Sequence, residues 1–318
     1  MPSSLSILIP TLHRRESLLT TLELLAAGSA EGNVEIVVID NAPQPEIREE
    51  DIAPYGRKVI RVLHAPTPGK GHALNLAVAN SQGDVIAVLD DDMSPAPGWI
   101  DAVIDAVDQR PNFDIFSGRS YLIWPDGLER PAWTYHPYAT GMAFSVFDPG
   151  DQRDREMGQG VLRFPSGNHY WFRRRVLQSV PVFPNIWAVD ACFVSAARTL
   201  GHRGVFVPEV NCGHRIQSGL VDVHRFLKRA HDRGFVGAWI DRGMDRLQGH
   251  PSPSWLSTLS RSAKAVAYRG MIHATDLYAY VLPEEKAVPM RALARLRSGK
   301  CEGLLGPSPL DDWLSRWS

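Results

Sequence analysis

Ala87-Val88-Leu89-Asp90-Asp91-Asp92-Met93-Ser94-Pro95 joins an apolar run to three consecutive carboxylates. Val85 to Leu89 has the length and the β-branched content of a strand buried on both faces. In open α/β sheets, ligand sites lie off the carboxyl ends of such strands. Three adjacent carboxylates raise one another's pKa unless a cation neutralises them. Oxygen donors of this kind suit Mg²⁺ or Mn²⁺, which keep open positions for phosphate oxygens. Asp90 and Asp92 are two apart and face the same way where the chain is extended. Solvated acidic turns are common, but the position directly after an apolar strand favours a metal-diphosphate site.

Outward from this point, strands alternate with helices. Leu5 to Ile9 is an apolar run closed by Pro10, and Glu35 to Ile39 and Val59 to Leu63 are two more strands. Glu16 to Ala27 carries Leu18, Leu19, Leu22 and Leu25 at helical spacing, with Gly28 as its stop. His72 to Ala79 and Trp99 to Val107 read as helices. The pattern implies an α/β fold, a mostly parallel sheet flanked by helices. After Phe113 it loosens, and residues 124–160 read as an irregular insertion rich in Pro, Gly, Trp and Tyr. Order returns over Val161 to Phe172, in a helix from Val189 to Leu200, and in a strand from Gly204 to Val207. From Leu220 the chain is mainly helical, broken at His250 to Pro253. The domain expectation is a catalytic domain over 1–218, with halves 1–115 and 116–218, and a helical C-terminal extension over 219–318.

Lys+Arg number 34 and Asp+Glu 35 among 318 residues, a net charge of -1. That balance gives no bulk attraction to a polyanion, so no nucleic acid is expected as a partner. The three cysteines, Cys192, Cys212 and Cys301, show neither disulfide nor zinc spacing. Met1-Pro2-Ser3-Ser4 lacks a signal-peptide pattern, and no apolar stretch approaches the ~20 residues of a membrane span. The expected location is cytoplasmic, with room for peripheral contact at the inner face of a membrane. The apolar residues of the C-terminal helices could pack on such a surface or on a second subunit as a homo-oligomer.

Two further segments carry chemistry. Asp40 ends the strand Ile36-Val37-Val38-Ile39, where a carboxylate can accept hydrogen bonds from a base or a ribose, or can organise a turn. Pro68-Gly69-Lys70-Gly71-His72-Ala73-Leu74-Asn75 fails the phosphate-loop pattern, but its glycine-flexed turn feeds a helix N-terminus that attracts anions. Lys70 adds a point charge there.

These segments, in this order, resemble the family-two glycosyltransferases, which have the GT-A fold, a Rossmann-type sheet. The resemblance begins at Ile7-Leu8-Ile9-Pro10-Thr11. It runs through Asp40, then Gly69, Lys70, Ala73, Leu74 and Asn75, then Gly83-Asp84 and the Asp90-Asp91-Asp92 strand end. It is good over residues 5 to about 110 and partial to about 215. It implies an inverting enzyme that moves a sugar from a nucleotide-diphosphate donor to an acceptor hydroxyl on a glycan, a lipid-linked sugar or a small molecule, with Mn²⁺ or Mg²⁺ as cofactor. Pro10, Thr11, Asp40, Lys70, Asn75, Asp90 and Asp91 would bind the nucleotide sugar, and Asp92 the metal. Ala42-Pro43 replaces the family's usual Gly-Ser after the base-binding Asp.

Further along, Pro165-Ser166-Gly167-Asn168-His169-Tyr170-Trp171-Phe172-Arg173-Arg174 looks like the family's acceptor-side stretch. Gly167, Asn168 and Trp171 are its candidate residues. Asp190 in Trp187-Ala188-Val189-Asp190 matches the Asp of the family's Glu-Asp pair, with Val189 in place of Glu. Transfer to a hydroxyl needs a base to take its proton, and Asp190 is the candidate, against a plain helix-capping role. His214 follows an apolar strand and resembles a late His that contacts metal or diphosphate. Trp124, Trp133, Tyr135 and Trp187 fall in the same acceptor half, and His169 has no functional context. Membrane-bound synthases carry Gln-x-x-Arg-Trp, whereas the echo here, Trp313-Leu314-Ser315-Arg316-Trp317, lacks the Gln and falls late. The alternative to an enzyme is a non-catalytic GT-A-like protein that binds a nucleotide sugar or a partner, a reading to which Val189 lends some weight.

Overall fold

The computed structural model describes residues 3–27, 34–55, 59–151, 155–157, 167–180, 182–250, 255–305 and 308–314. Gly28, Val161 to Ser166, Pro251 to Pro253 and Ser315 to Trp317 lie outside the described residues. The chain forms two compact units, Met1–Ile123 with Phe147–Arg215, and Trp124–Val146 with Ile216–Ser318.

The first unit is built on one sheet. Its parallel half is β3 (Val59–His64), β2 (Val34–Asp40), β1 (Leu5–Thr11) and β4 (Val85–Leu89), side by side in that order. The apolar runs of β1 and β4 are fully buried because helices cover both faces. α1 (Arg15–Ala26) turns Leu18, Leu22 and Leu25 into this core, and α4 (Trp99–Asp108) adds Trp99, Ile100 and Val103. The β1–β4 ladder ends at Leu8 and Val88. Pro10 lies beyond it, so its missing N–H leaves no gap on that side.

Beyond β4 the sheet is mixed. β8 (His169–Arg173) runs antiparallel to β4, and β6 (Ile115–Ile123) runs antiparallel to β8 and parallel to β9 (Gly204–Arg215). β5 (Met93–Pro95) and β7 (Arg155–Glu156) border β9 antiparallel. The structure corrects two expectations here. Ile115 to Ile123, past the point where the pattern loosens, is a nine-residue strand, and β9 runs eight residues past Val207. Both mix polar residues, Gly or Pro into the apolar run without strict alternation, which obscures them in sequence. Arg173 and Arg174 are tied to backbone carbonyls. Arg173 donates to the carbonyls of Val107, Arg110 and Phe113, and Arg174 to that of Gly83. The remaining helices of this unit are α2 (Glu49–Ile52), α3 (Lys70–Ala79) and α6 (Val189–Thr199).

The second unit holds α5 (Pro137–Phe144), α7 (Val223–Leu247), α8 (Trp255–Tyr278), α9 (Glu284–Gly303) and α10 (Leu310–Leu314). Part of the segment read as irregular therefore has a role. Trp133 is fully buried and stacks on Phe226 at 4.8 Å and Phe144 at 5.9 Å, so it is core and not acceptor surface. α7 and α9 cross at glycines. A Cβ on Gly234 would meet the Leu296 carbonyl, and one on Gly299 the His231 carbonyl. Among the described residues no helix is long and apolar enough to cross a membrane.

Candidate functional site

The carboxyl ends of β1, β2 and β4 bring Thr11, Asp40 and Asp90 to Asp92 to one edge of the sheet. The three aspartates have different surroundings. Asp90 is the most open, with 27% of its side chain exposed, and it pairs with Lys70 Nζ at 2.8 Å. Asp91 is fully buried. Its Oδ2 accepts from Thr11 Oγ1 at 2.6 Å, and its Oδ1 lies 2.9 Å from Arg14, too poorly aligned for a hydrogen bond. Burial drives its pKa up to about 7, against the pull of Arg14 and with a push from the Asp92 and Asp90 charges. Asp92 accepts from Arg14 and faces His214 Nε2 at 3.5 Å. Burial works to raise its pKa, but His214, Arg14 and Arg215 outweigh that and hold it at about 2. Asp91 has no exposed surface. Asp90 keeps the open carboxylate of the three, whereas Asp92, like Asp91, is buried; residues 91 and 92 form a turn, so the alternation of an extended chain does not hold here.

Lys70 opens α3 and reaches between two carboxylates. It lies 2.8 Å from Asp90, 2.9 Å from Asp190 and 2.8 Å from the Gly167 carbonyl. Burial lowers its pKa, and the two aspartate charges more than reverse this, so it stays a cation. Asp190, in the first turn of α6, also accepts from Tyr170 Oη at 2.9 Å. The N-cap position of α6 is Ala188, and the hydrogen bonds of the Asp190 side chain go to Lys70 and Tyr170. Burial raises the Asp190 pKa, and Lys70 opposes the rise. Gly167 permits this packing, since a Cβ there would lie 2.8 Å from Asp190 Oδ2. Asn168 is buried next to it, and its carbonyl accepts from the Asp90 N–H at 3.1 Å.

Three candidate residues take other parts. Trp171 is fully buried and stacks on Phe116 at 5.9 Å, on the face of β8 opposite Tyr170. Tyr170 is the β8 side chain that meets Asp190. Asn75 uses its amide at both ends on the backbone of Phe183, which ties α3 to the 183–185 loop. Asp40 is 1% exposed, and its carboxylate accepts from the backbone N–H groups of Ala42, Glu46 and Ile47. It organises the loop after β2. Asp40→Ala should therefore lower stability by about 2–3 kcal/mol, because buried N–H groups lose their acceptor. A urea midpoint equal to wild type would return Asp40 to a ligand-facing role.

Arg14, Tyr170 and Arg215 escape the sequence reading. Arg215 donates to the Met93 and Asp91 carbonyls, and to Ser94, Ser17 and Thr21, fixing the turn from behind. Tyr170 could have been found by period-two alternation along β8. Nothing local marks the two arginines.

Two buried carboxylate oxygens, Asp91 Oδ1 and Asp92 Oδ1, have no hydrogen-bond partner among the described residues. Asp92 and His214 thus fit a divalent cation, although among the described residues no group of three or more His, Cys, Asp or Glu side chains is placed to hold one alone. Mg²⁺ and Mn²⁺ sites of this kind keep positions for water and substrate phosphate.

The fold is shared with known transferases. A mannosyltransferase from Pyrobaculum calidifontis, in complex with GDP-Man and Mn²⁺, superposes with a TM-score of 0.55 at 16% identity, over 99% of this chain and 79% of that one. S. aureus TarS 1-349 in complex with UDP-GlcNAc superposes with a TM-score of 0.55 at 14% identity, over 93% and 90%. In sequence, an Escherichia coli chondroitin synthase is 26% identical over 122 residues. An uncharacterised Sinorhizobium fredii protein is 32% identical over 129 residues. These matches cover 37% and 38% of this chain but only 18% and 14% of the relatives. The model of glycosyl transferase family 2 matches residues 6–180, more than half of the chain. With its GT-A sheet, the chain belongs to glycosyl transferase family 2.

Proposed function

We propose that the chain is an inverting glycosyltransferase, moving a sugar from a nucleotide-diphosphate donor to an acceptor hydroxyl. The observation that carries this reading is Lys70, held between Asp90 at the donor edge and Asp190 at the start of α6. A carboxylate kept ionised by a buried lysine, with its basicity raised by burial, is suited to take a proton. The acceptor oxygen attacks the anomeric carbon as its proton passes to Asp190. The bond from that carbon to the diphosphate oxygen breaks, and the nucleoside diphosphate leaves with the electron pair. One carboxylate suffices, and the carbon inverts.

Asp92 and His214 would hold Mn²⁺ or Mg²⁺, which as a Lewis acid stabilises charge on a leaving diphosphate. Arg14 neutralises the Asp91–Asp92 pair, and Thr11 sets the orientation of Asp91. Arg215 holds the turn rigid. The surroundings of Asp190 are those of a working base, which favours catalysis over a purely binding role.

Thermal unfolding with nucleoside diphosphates, with and without Mn²⁺, tests the donor site. A ligand at a hundred times its Kd stabilises the folded state by about 2.7 kcal/mol. The expected result is a rise in Tm with at least one nucleoside diphosphate plus Mn²⁺ that excess chelator cancels. No shift with any of them removes the donor site. An equal shift in chelator removes the cation.

A further inference from the structure

Tyr170 is fully buried, on a strand that the sheet holds from both sides. β8 sets it opposite Val88 of β4 and Ser117 of β6. Its ring belongs to an aromatic layer between β8 and α6. Tyr170 stacks on Phe172 at 6.3 Å, Phe172 meets Phe193 at 5.0 Å, and Phe193 meets Phe183 at 4.2 Å. Three of these four rings are phenylalanines, so packing alone asks for no hydroxyl. A buried hydroxyl costs free energy unless it is hydrogen-bonded. That of Tyr170 donates to Asp190 Oδ1 at 2.9 Å.

This bond completes a clamp. Lys70 Nζ holds the other oxygen, Oδ2, at 2.9 Å, and Lys70 is itself anchored on Asp90 and the Gly167 carbonyl. The two donors come from different elements, β8 and α3. A carboxylate held at both oxygens cannot rotate about its last bond, so its plane is fixed. Proton transfer needs the accepting oxygen within hydrogen-bond reach of the proton, and groups locked from regular elements are placed better than groups on loops. The charges agree with the geometry. Burial, the largest influence, and Asp90 disfavour the ionised carboxylate of Asp190, whereas Lys70 and Tyr170 favour it. Burial and the Asp190 charge push the Tyr170 hydroxyl well above its ordinary range, so it remains a donor. Cys192 of α6 also faces Asp190, and burial keeps that thiol protonated.

We propose that Tyr170 is a positioning residue for the base: its hydroxyl fixes the plane of the Asp190 carboxylate and, with Lys70, holds it in the ionised form. This rests on the reading of Asp190 as the base. Phenylalanine fills the same space in the aromatic layer, so Tyr170→Phe removes the bond and leaves the packing.

Carbon-13 spectra of the full chain, labelled at aspartate carboxyls and tyrosine Cζ, test this without substrate. The carboxyl signal missing from Asp190→Asn is that of Asp190. A hydrogen bond to the charged form favours that form. Tyr170→Phe should therefore raise the Asp190 titration midpoint by about one to two pH units. Phe172→Leu disturbs the same aromatic layer but not the bond, and should leave the midpoint in place. In wild type, one tyrosine Cζ signal should titrate with the Asp190 midpoint and cease to do so in Asp190→Asn, a result that needs no Tyr170 variant. An unmoved midpoint in folded Tyr170→Phe, an equal rise in Phe172→Leu, or no tyrosine signal that follows Asp190 overturns the role of Tyr170 and leaves Asp190 as the base. Wild-type kcat in Asp190→Asn instead overturns the base reading, and the positioning role with it.

Discussion

Asp190→Asn is expected to lower kcat by about 10²- to 10⁴-fold, the usual loss when a general base is removed. Asn has nearly the shape of Asp, so Tyr170 keeps an acceptor at 190. Lys70 keeps Asp90 and the Gly167 carbonyl. The local structure is thus held by other bonds while the proton acceptor is gone. Donor affinity should stay close to wild type, because the lost interaction matters chiefly in the transition state. The measurement is kcat and KM with the true acceptor, beside donor binding on the same folded protein. A variant with wild-type kcat would leave Asp190 as a mere partner for Lys70.

The second large effect is on stability at mildly acid pH. His169 is fully buried on β8, and its Nε2 accepts from Trp99 Nε1 at 2.8 Å. The proton is thereby assigned to Nδ1, which packs near Gly118 with no hydrogen-bond partner among the described residues. Burial lowers its pKa to about 3, against about 6.5 for an unfolded histidine. Between these values the unfolded chain binds a proton that the folded chain refuses. Stability then falls as pH falls, by up to about 1.4 kcal/mol per pH unit, or on the order of 5 kcal/mol across the window. Carboxylates add slopes of their own, so the comparison is with His169→Phe. Urea unfolding from pH 7 to pH 4 should show a shallower loss in the variant, whatever its starting stability. Parallel curves would mean that His169 charges in place.

The N-terminal half of the sheet was legible because each element there is decided locally. β1, β2 and β4 are continuous apolar runs, and α1 and α4 show their periodicity within a dozen residues. The site was legible in part for the same reason, since Thr11, Asp90 and Asp92 sit at the ends of those runs. The rest depends on residues far apart in sequence. In sequence Trp171 neighbours Gly167 and Asn168 and so reads as acceptor side, but alternation along β8 turns it into the core and turns Tyr170 toward Asp190. Asn75 and Asp40 carry polar groups that suit a ligand, and backbone partners near 183 and 46 claim them. Arg14 and Arg215 lie 201 positions apart and meet the same turn. β6 was hidden by Ser117, Arg119 and Ser120, polar residues in a strand that is flanked on both sides.

The pairing of β5 with β9 sets Met93 opposite His214, and this bears on how the protein is made. Contacts between segments so distant form late, because loop closure must be paid for before they gain anything. During synthesis β1 to β4 emerge first, yet the turn holding Asp90 to Asp92 lacks both its bordering strand and Arg215 until residue 215 has left the ribosome. Before then, a nascent chain exposes three aspartates on an unfinished sheet edge. Fragments that stop near residue 180 should fold poorly, and in pulse-labelled hydrogen exchange the amides of 93–95 should gain protection after those of β1 and β2.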